Sequence, residues 1–124
     1  MSWAPTLQWS KEPPGLVALF VPDSSHCGRP GFLHGGLAAT LLDETMAALS
    51  WATDRAHSVT ATLSLRYRLP VPLDGSALRI ESWYEDSRVR RVRQVHGHLL
   101  LADGSEAVSA VGLFARVPGA AGDD

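Results

Sequence analysis

The chain has 124 residues, enough for one domain with a substantial core but not for two. Hydrophobic residues make up 45% and charged residues 19%, which excludes a disordered chain, and no apolar stretch approaches the ~20 residues needed to cross a bilayer. The formal net charge of −2 provides no basic field, so neither nucleic acid nor a membrane is expected as a partner.

The N-terminus and the single cysteine indicate the compartment. The first residues, Met-Ser-Trp-Ala-Pro, lack the basic and apolar segments of a secretory signal. Cys27 cannot form an internal disulfide, which favours a reducing environment, so we expect a cytoplasmic protein. One domain is predicted over 1–124, with its core at about 16–117 and with a peripheral N-terminal segment and a frayed tail at 119–124.

The predicted elements begin with a strand and one long helix. The apolar run at 16–21 predicts the first strand, and the Ser-, Gly- and Pro-rich segment 23–33 predicts a loop. A helix is predicted from residue 35 to about 53, because apolar residues recur with the i, i+3, i+4 spacing of one buried stripe. The opposite face is also fairly apolar, so we expect the helix to be almost completely buried.

Four strands are predicted after the helix. Residues 59–69 alternate between apolar and polar side chains, the period-two pattern of a long half-buried strand that ends at Pro70. Three further strands are predicted between turn signals, at 77–84, 88–101 and 107–117. One helix wrapped by one antiparallel sheet is the simplest architecture for this order, and the predicted fold class is α+β.

The helix start and two carboxylates within the helix are the candidate chemical groups. The N–H groups of Gly35 and Gly36, backed by the helix dipole, can stabilise negative charge on a substrate oxygen, although glycines also simply let a packed chain turn into a helix. Asp43 and Glu44 lie in an apolar stretch, where a buried carboxylate must be paired, hydrogen-bonded or protonated. Such carboxylates are enriched at functional sites, and we expect only one of the two to be chemical.

The spacing of these groups predicts a dimer. Gly35 and Asp43 are eight residues apart, which on one helix separates them by roughly 12 Å along the axis. A carbonyl under attack needs a donor about 3 Å from its oxygen and a nucleophile about 3–3.5 Å from its carbon. Two antiparallel helices related by a two-fold axis can meet both requirements, each giving its glycine N–H to a site that the other's Asp43 completes.

The sequence resembles the hotdog-fold acyl-CoA thioesterases of the PaaI type in the motif Gly31-x-x-His34-Gly35-Gly36-x6-Asp43. The segments 26–31 and 63–72 are also similar to that superfamily, so the resemblance covers roughly residues 16–117. It implies a long central helix wrapped by a five- to six-stranded antiparallel sheet. It also implies hydrolysis of an acyl- or aroyl-CoA thioester to free acid and CoA, without a metal or cofactor, by a homodimer that often pairs into a tetramer.

Carried over position by position, the resemblance implies roles for the matching residues. Asp43 would be the nucleophile or the general base that activates water. The N–H of Gly35 would be the oxyanion donor, assisted by Gly36. His34 would orient the loop or contact the thioester, and Thr60 lies where relatives often place a Ser or Thr near the attacking water.

One position departs from the family pattern. Many relatives carry an asparagine six residues before the motif histidine, whereas this chain has Gly28 there. His26, two residues earlier, is the candidate for the same role, a contact with the substrate.

A cluster of arginines lies at the start of a predicted strand, at positions 88, 90, 91 and 93. It is either a solvated strand edge that discourages aggregation or a site for the phosphates of coenzyme A. If it binds phosphate, Arg90 and Arg91 are the favoured pair.

Two alternatives to a thioesterase remain. A non-catalytic hotdog module that binds acyl-CoA or a partner protein would not need Asp43. A hotdog enoyl-CoA hydratase would need an Asp and a His a few residues apart at the helix start, and no such pair follows Gly36.

His96 and His98 share a strand face without an acidic or cysteine neighbour, so we interpret them as surface or interface residues and not as a metal site.

Overall fold

The computed structural model describes residues 8–12 and 15–118 of the chain. Within these ranges the chain forms one long helix, one short 3-10 helix and six strands. The helices are α1 (Gly35–Asp54) and the 3-10 turn Ser24–His26, and the strands are β1 (Gln8–Glu12), β2 (Gly15–Phe20), β3 (Ser58–Tyr67), β4 (Leu78–Tyr84), β5 (Val92–Leu100) and β6 (Glu106–Arg116). The tail predicted to be frayed, 119–124, lies outside the described residues.

The six strands form one antiparallel sheet in the order β1-β2-β4-β5-β6-β3, and α1 packs across one of its faces. The predicted α+β class is confirmed, and so is the long helix against an antiparallel sheet, which here has six strands. No helix in the part of the chain described above has both the length and the apolar character needed to cross a membrane.

The core lies between α1 and the inner face of the sheet. It joins one stripe of the helix to alternate positions of the central strands, including Leu41, Leu42, Met46, Leu49, Ile80, Val95, Leu99 and Val108. Removing this apolar surface from water stabilises the fold by roughly 25 cal/mol per Å².

The helix is less buried than the sequence predicts. Asp43 is partly exposed, and Glu44 and Trp51 are exposed. A single sheet covers only one side of a helix, so the second apolar face of α1, with Leu37, Ala47 and Ala48, is only partly buried in one chain. The prediction of an almost completely buried helix is therefore wrong for the single chain.

Strand β1 is an element that the sequence pattern does not predict. All five of its residues, Gln-Trp-Ser-Lys-Glu, are exposed, and it is held by backbone pairing with β2. A strand at the edge of a sheet can form through such hydrogen bonds without an apolar face, which leaves no period-two signal in the sequence.

The alternation predicted over 59–69 breaks at a β-bulge. In the pairing of β3 with β6, Thr60 lies opposite Phe114 and Thr62 opposite Leu113, so Ala61 has no residue opposite it. After the bulge Leu63 and Leu65 are partly buried as the pattern predicts, but before it the prediction is wrong, because Val59 lies opposite Ala115 and is 55% exposed.

Candidate active site

His34 caps helix α1 and takes up one of its free N–H groups. Its Nδ1 accepts a hydrogen bond from the N–H of Gly36 at 2.9 Å. Its carbonyl oxygen accepts from the N–H groups of Leu37, at 3.0 Å, and Ala38, at 3.1 Å. Because Nδ1 accepts, the proton of the neutral imidazole lies on Nε2. The position predicted to orient the loop therefore has a direct contact through which to do so.

Gly35 supplies the remaining N–H of the first helical turn. No acceptor for it is found among the described residues, whereas the N–H groups of Gly36, Leu37 and Ala38 are all bonded to His34. An unpaired donor at the positive end of a helix is suited to a developing oxyanion. The N–H of Gly36, predicted to assist, is engaged in the cap.

Tyr67 fixes the other side of the helix start. Its hydroxyl donates to the carbonyl oxygen of Gly35 at 2.7 Å. The N–H of Leu33 in turn donates to the carbonyl oxygen of Val71 at 2.9 Å, which ties the chain entering the helix to the segment after β3. No role is predicted for Tyr67 from the sequence, although the Tyr-x-x-Pro pattern in the matching segment 63–72 begins with it.

Asp43 and Thr60 meet in the structure. Thr60 Oγ1 donates to Asp43 Oδ1 at 2.6 Å, joining the middle of α1 to β3. A carboxylate that accepts this bond keeps its second oxygen available to attack a carbonyl or to take a proton from water. Glu44 next to it is exposed and has no such partner among the residues described. The structure thus distinguishes the two carboxylates in the same sense as the motif, which includes Asp43 and not Glu44.

His26 lies at the same cleft as His34. Its side chain is almost buried, at 9% exposure, and its Nδ1 accepts from the N–H of Asp23 at 3.0 Å, which leaves the proton on Nε2. The cleft is lined by both histidines together with Cys27, Leu37 and Thr40. Hydrogen bonds from the Ser25 hydroxyl and N–H lower the pKa of the Asp23 carboxyl below its ordinary value.

Gly28 allows the loop to pack against His34. A Cβ at this position would lie 3.2 Å from the Cα of His34 and 3.3 Å from its ring. A side chain at this position would therefore require the loop or His34 to shift by a few tenths of an ångström.

Three of the four arginines, at 88, 90 and 91, lie in the connection between β4 and β5, which we call the arginine loop, residues 85–91, whereas Arg93 lies in β5. The predicted strand start at residue 88 is wrong, because β5 begins only at Val92. Arg90 and Arg91 are exposed, and both line a small pocket beside the C-terminal end of α1.

Arg93 connects the arginine loop to the C-terminal end of helix α1. Its side chain is only 10% exposed, its guanidinium lies 3.6 Å from Asp54 Oδ2, and it donates to the carbonyl oxygen of Asp86 at 3.0 Å. It also lies 3.2 Å above the ring centroid of Tyr84. Burial of the Tyr84 hydroxyl raises its pKa above the ordinary value.

His98 lies between two carboxylates on the sheet face away from α1. Its Nε2 is 2.7 Å from Glu81 and its Nδ1 is 3.1 Å from Glu106. Burial raises the pKa of Glu81, but hydrogen bonds from His98 and Arg79 outweigh it and lower that pKa below its ordinary value. His96 pairs with Glu85. The acidic partners come from other strands or turns, which a search of adjacent sequence positions misses. No three metal-ligating side chains converge on one point in 8–12 or 15–118.

Comparisons with known proteins agree with this geometry. Residues 30–89 match the family described as the thioesterase superfamily. An acyl-coenzyme A thioesterase, THEM4 of Xenopus laevis, is 40% identical over 78 residues, which are 62% of this chain and 34% of that protein. A Streptococcus mutans protein solved with bound acetyl CoA has a TM-score of 0.81 at 20% identity, over 94% of this chain and 92% of its own. The PaaI protein of E. coli has a TM-score of 0.76 at 13% identity, over 85% and 74% of the two chains.

One helix packed on a six-stranded antiparallel sheet, with a capped Gly-Gly helix start and an aspartate two turns along, defines a hotdog-fold protein. Over residues 30–89 the chain is similar to the thioesterase superfamily. It spans only between 23% and 34% of the length of the curated relatives it matches.

Proposed function

We propose that this chain hydrolyses an acyl- or aroyl-coenzyme A thioester to a carboxylic acid and coenzyme A. The observation that carries the proposal is the 2.6 Å hydrogen bond between Thr60 Oγ1 and Asp43 Oδ1, which fixes one oxygen of a carboxylate and leaves the other available. Curated relatives are named acyl-coenzyme A thioesterases, and a structural neighbour was solved with acetyl CoA.

Thioester hydrolysis needs only a carboxylate and an oxyanion donor, because a thioester carbonyl is already reactive. Asp43 either takes a proton from water, which then adds to the carbonyl carbon, or itself attacks that carbon to form an anhydride that water cleaves. In both routes the C–S bond breaks and coenzyme A leaves as the thiol once it has gained a proton. The N–H of Gly35 stabilises the oxyanion, and the Nε2 protons of His34 and His26 are further donors at the cleft.

We propose that the site forms between two chains. β3 is one of the two edge strands of the sheet and is ten residues long, with Val59 55% and Tyr67 54% exposed. A long edge strand with exposed apolar side chains is suited to pairing with another strand. Two copies of β3 paired about a two-fold axis would lay the α1 helices antiparallel on one face, directing each Asp43 towards the partner's helix start. The tetramer that the resemblance implies would join two such dimers.

The arginine loop is proposed to bind the nucleotide end of coenzyme A. Arg90 and Arg91 are exposed at the end of α1, on a loop that Arg93 holds in place. Guanidinium groups bind phosphate oxygens through charge-assisted, often bidentate hydrogen bonds.

A cytoplasmic location is proposed on the single cysteine of the chain. Cys27 is exposed and unpaired, so its thiol is suited to a reducing compartment.

The function is tested by steady-state hydrolysis of a graded set of acyl- and aroyl-CoA esters. Asp43→Asn keeps the size of the side chain but removes its basicity, so we expect kcat to fall by about 10²-fold or more. Glu44→Gln is the matched control, since Glu44 is the adjacent, exposed carboxylate, and its rate should stay close to wild type.

Three outcomes would contradict the proposal. A wild-type rate for Asp43→Asn would remove Asp43 from the mechanism, and a large loss for Glu44→Gln would assign its role to Glu44. Binding of acyl-CoA without turnover of any ester would identify the chain as a non-catalytic acyl-CoA-binding module.

A further inference from the structure

Before the bulge, the side chains of β3 point to the opposite faces of the sheet from those that the sequence pattern predicts. Residues directly opposite each other in an antiparallel pair point to the same face. The helix-facing positions of β6 from 108 to 114 alternate without interruption and are all buried, and their partners on β3 are Thr60, Leu63, Leu65 and Tyr67. Thr60 and Leu63 are three residues apart and would point to opposite faces of a regular strand. The bulge at Ala61 places both on the side of α1.

This arrangement is opposed by the hydrophobic pattern. A regular β3 would turn Val59 towards the core and Thr60 towards solvent, as the alternation of the sequence predicts. Instead Val59 is 55% exposed, Thr60 donates to Asp43, and Ser58 donates to the carbonyl oxygen of Ala47 at 3.3 Å. A segment whose side chains depart from their own hydrophobic pattern is typical of a functional site. Bulges at such sites commonly turn a side chain to the other face of the sheet.

Two residues hold the bulge. The hydroxyl of Thr62 accepts a hydrogen bond from the N–H of Leu113 at 3.3 Å, at the point where the register shifts. On β6, Gly112 provides the space, because a Cβ there would lie 2.6 Å from the carbonyl oxygen of Thr62. The bulged backbone therefore occupies the volume that a side chain at 112 would need.

We infer that Thr62 is a positioning residue, which together with Gly112 keeps the bulge and thereby holds the Thr60 hydroxyl on Asp43. Thr62 points away from the helix and touches neither Asp43 nor the cleft, so it acts through Thr60. The kinetic part of this inference rests on the proposed thioesterase function.

The test uses Thr62→Val, which removes the hydroxyl and keeps the shape of the side chain. Loss of the hydrogen bond between the Leu113 N–H and the Thr62 hydroxyl should lower kcat by about three- to tenfold and leave KM within about twofold of wild type. Thr62→Ser keeps the hydroxyl and should restore the rate. Ser64→Ala removes a neighbouring outward hydroxyl of β3 and should match wild type.

A double-mutant cycle separates positioning from general weakening of the fold. In a Thr60→Val background, Thr62→Val should cause no further loss of kcat, because the group on which Thr62 acts is already gone. An equal loss in both backgrounds, a wild-type kcat for Thr62→Val, or equal rates for Thr62→Val and Thr62→Ser would overturn the inference.

A crystal structure of Thr62→Val provides a readout without activity. We expect Thr60 Oγ1 to move out of hydrogen-bond distance of Asp43, and an unchanged contact would overturn the inference. If the wild-type chain hydrolyses no thioester, the proposed function fails, and this structure alone decides on the role of Thr62.

Discussion

Gly35 and Gly36 are adjacent at the start of α1 but have different surroundings. A Cβ at Gly36 would lie 2.9 Å from Cε1 and 3.0 Å from Nδ1 of His34, so a side chain there would displace the capping imidazole. A Cβ at Gly35 would lie 3.6 Å from the ring of Tyr67, an ordinary van der Waals distance. The cap therefore requires glycine at 36, whereas at 35 glycine leaves the unpaired N–H open to a ligand.

Stability measurements on the two alanine variants should reflect this difference. Alanine is favoured over glycine in a helix by up to about 1 kcal/mol, so Gly35→Ala should raise the free energy of unfolding. In Gly36→Ala the same gain is offset by loss of the His34 cap, a loss of about 0.5–2 kcal/mol. Urea unfolding should therefore rank Gly35→Ala above Gly36→Ala, and the reverse order would refute the role assigned to the cap.

At the scale of elements, the arginine loop is attached to α1 rather than to its own strands alone. Arg93 connects β5 to Asp54 at the end of the helix and to the backbone of Asp86 within the loop. This holds Arg90 and Arg91 at the helix end before any ligand arrives, which would reduce the entropy lost in the proposed binding of phosphate.

We expect the double variant Arg90→Ala/Arg91→Ala to raise KM for a CoA ester by about tenfold or more, with kcat unchanged, since charge-assisted bonds lost equally in ground and transition states affect binding alone. The matched control is the corresponding pantetheine thioester, which lacks the nucleotide phosphates. Its kinetics should be the same for wild type and variant. A parallel loss with both substrates would place these arginines elsewhere in the mechanism.

The sequence predicts an element well where all the residues that determine it lie within that one segment of the chain. Helix α1 begins at Gly35 as predicted, because its periodicity and Gly-Gly start are local. The β3 bulge is not local, since it depends on Gly112 and Leu113, about fifty residues away. The hydrogen bond that distinguishes Asp43 from Glu44 also comes from another element, so no pattern within the helix could have predicted it.

On the scale of the whole molecule, the two edges of the sheet differ. β1 forms one edge and carries Lys11 and Glu12, charges of the kind that discourage pairing with another chain. β3 forms the other edge and exposes Val59 and Tyr67. Association through β3 would also supply each Gly35 with the Asp43 that its own chain holds two turns away.

Mixing two inactive variants tests this shared site. Gly35→Pro removes the unpaired N–H at the first helical position, where proline is tolerated, and the extended His34 (ψ 131°) before it is compatible with proline. Neither Gly35→Pro nor Asp43→Asn should be active alone. Refolded together, they should recover about a quarter of wild-type activity, because half of the randomly paired dimers would contain one intact site of two. Recovery of none would show that each site lies within a single chain.

α1 and β3 also have similar lengths. Twenty helical residues span about 30 Å and ten strand residues about 33 Å, and only residues 55–57 join them. β3 is fastened to the helix at both of its own ends, by Tyr67 to Gly35 at the helix start and by Ser58 to Ala47, seven residues before the last helical residue. One added helical turn would lengthen α1 by about 5.4 Å. This length is more than one strand residue and less than two, so no whole number of residues added to β3 would match it. Insertions and deletions during evolution should therefore accumulate in connections such as 101–105, and α1 and β3 should keep their lengths together.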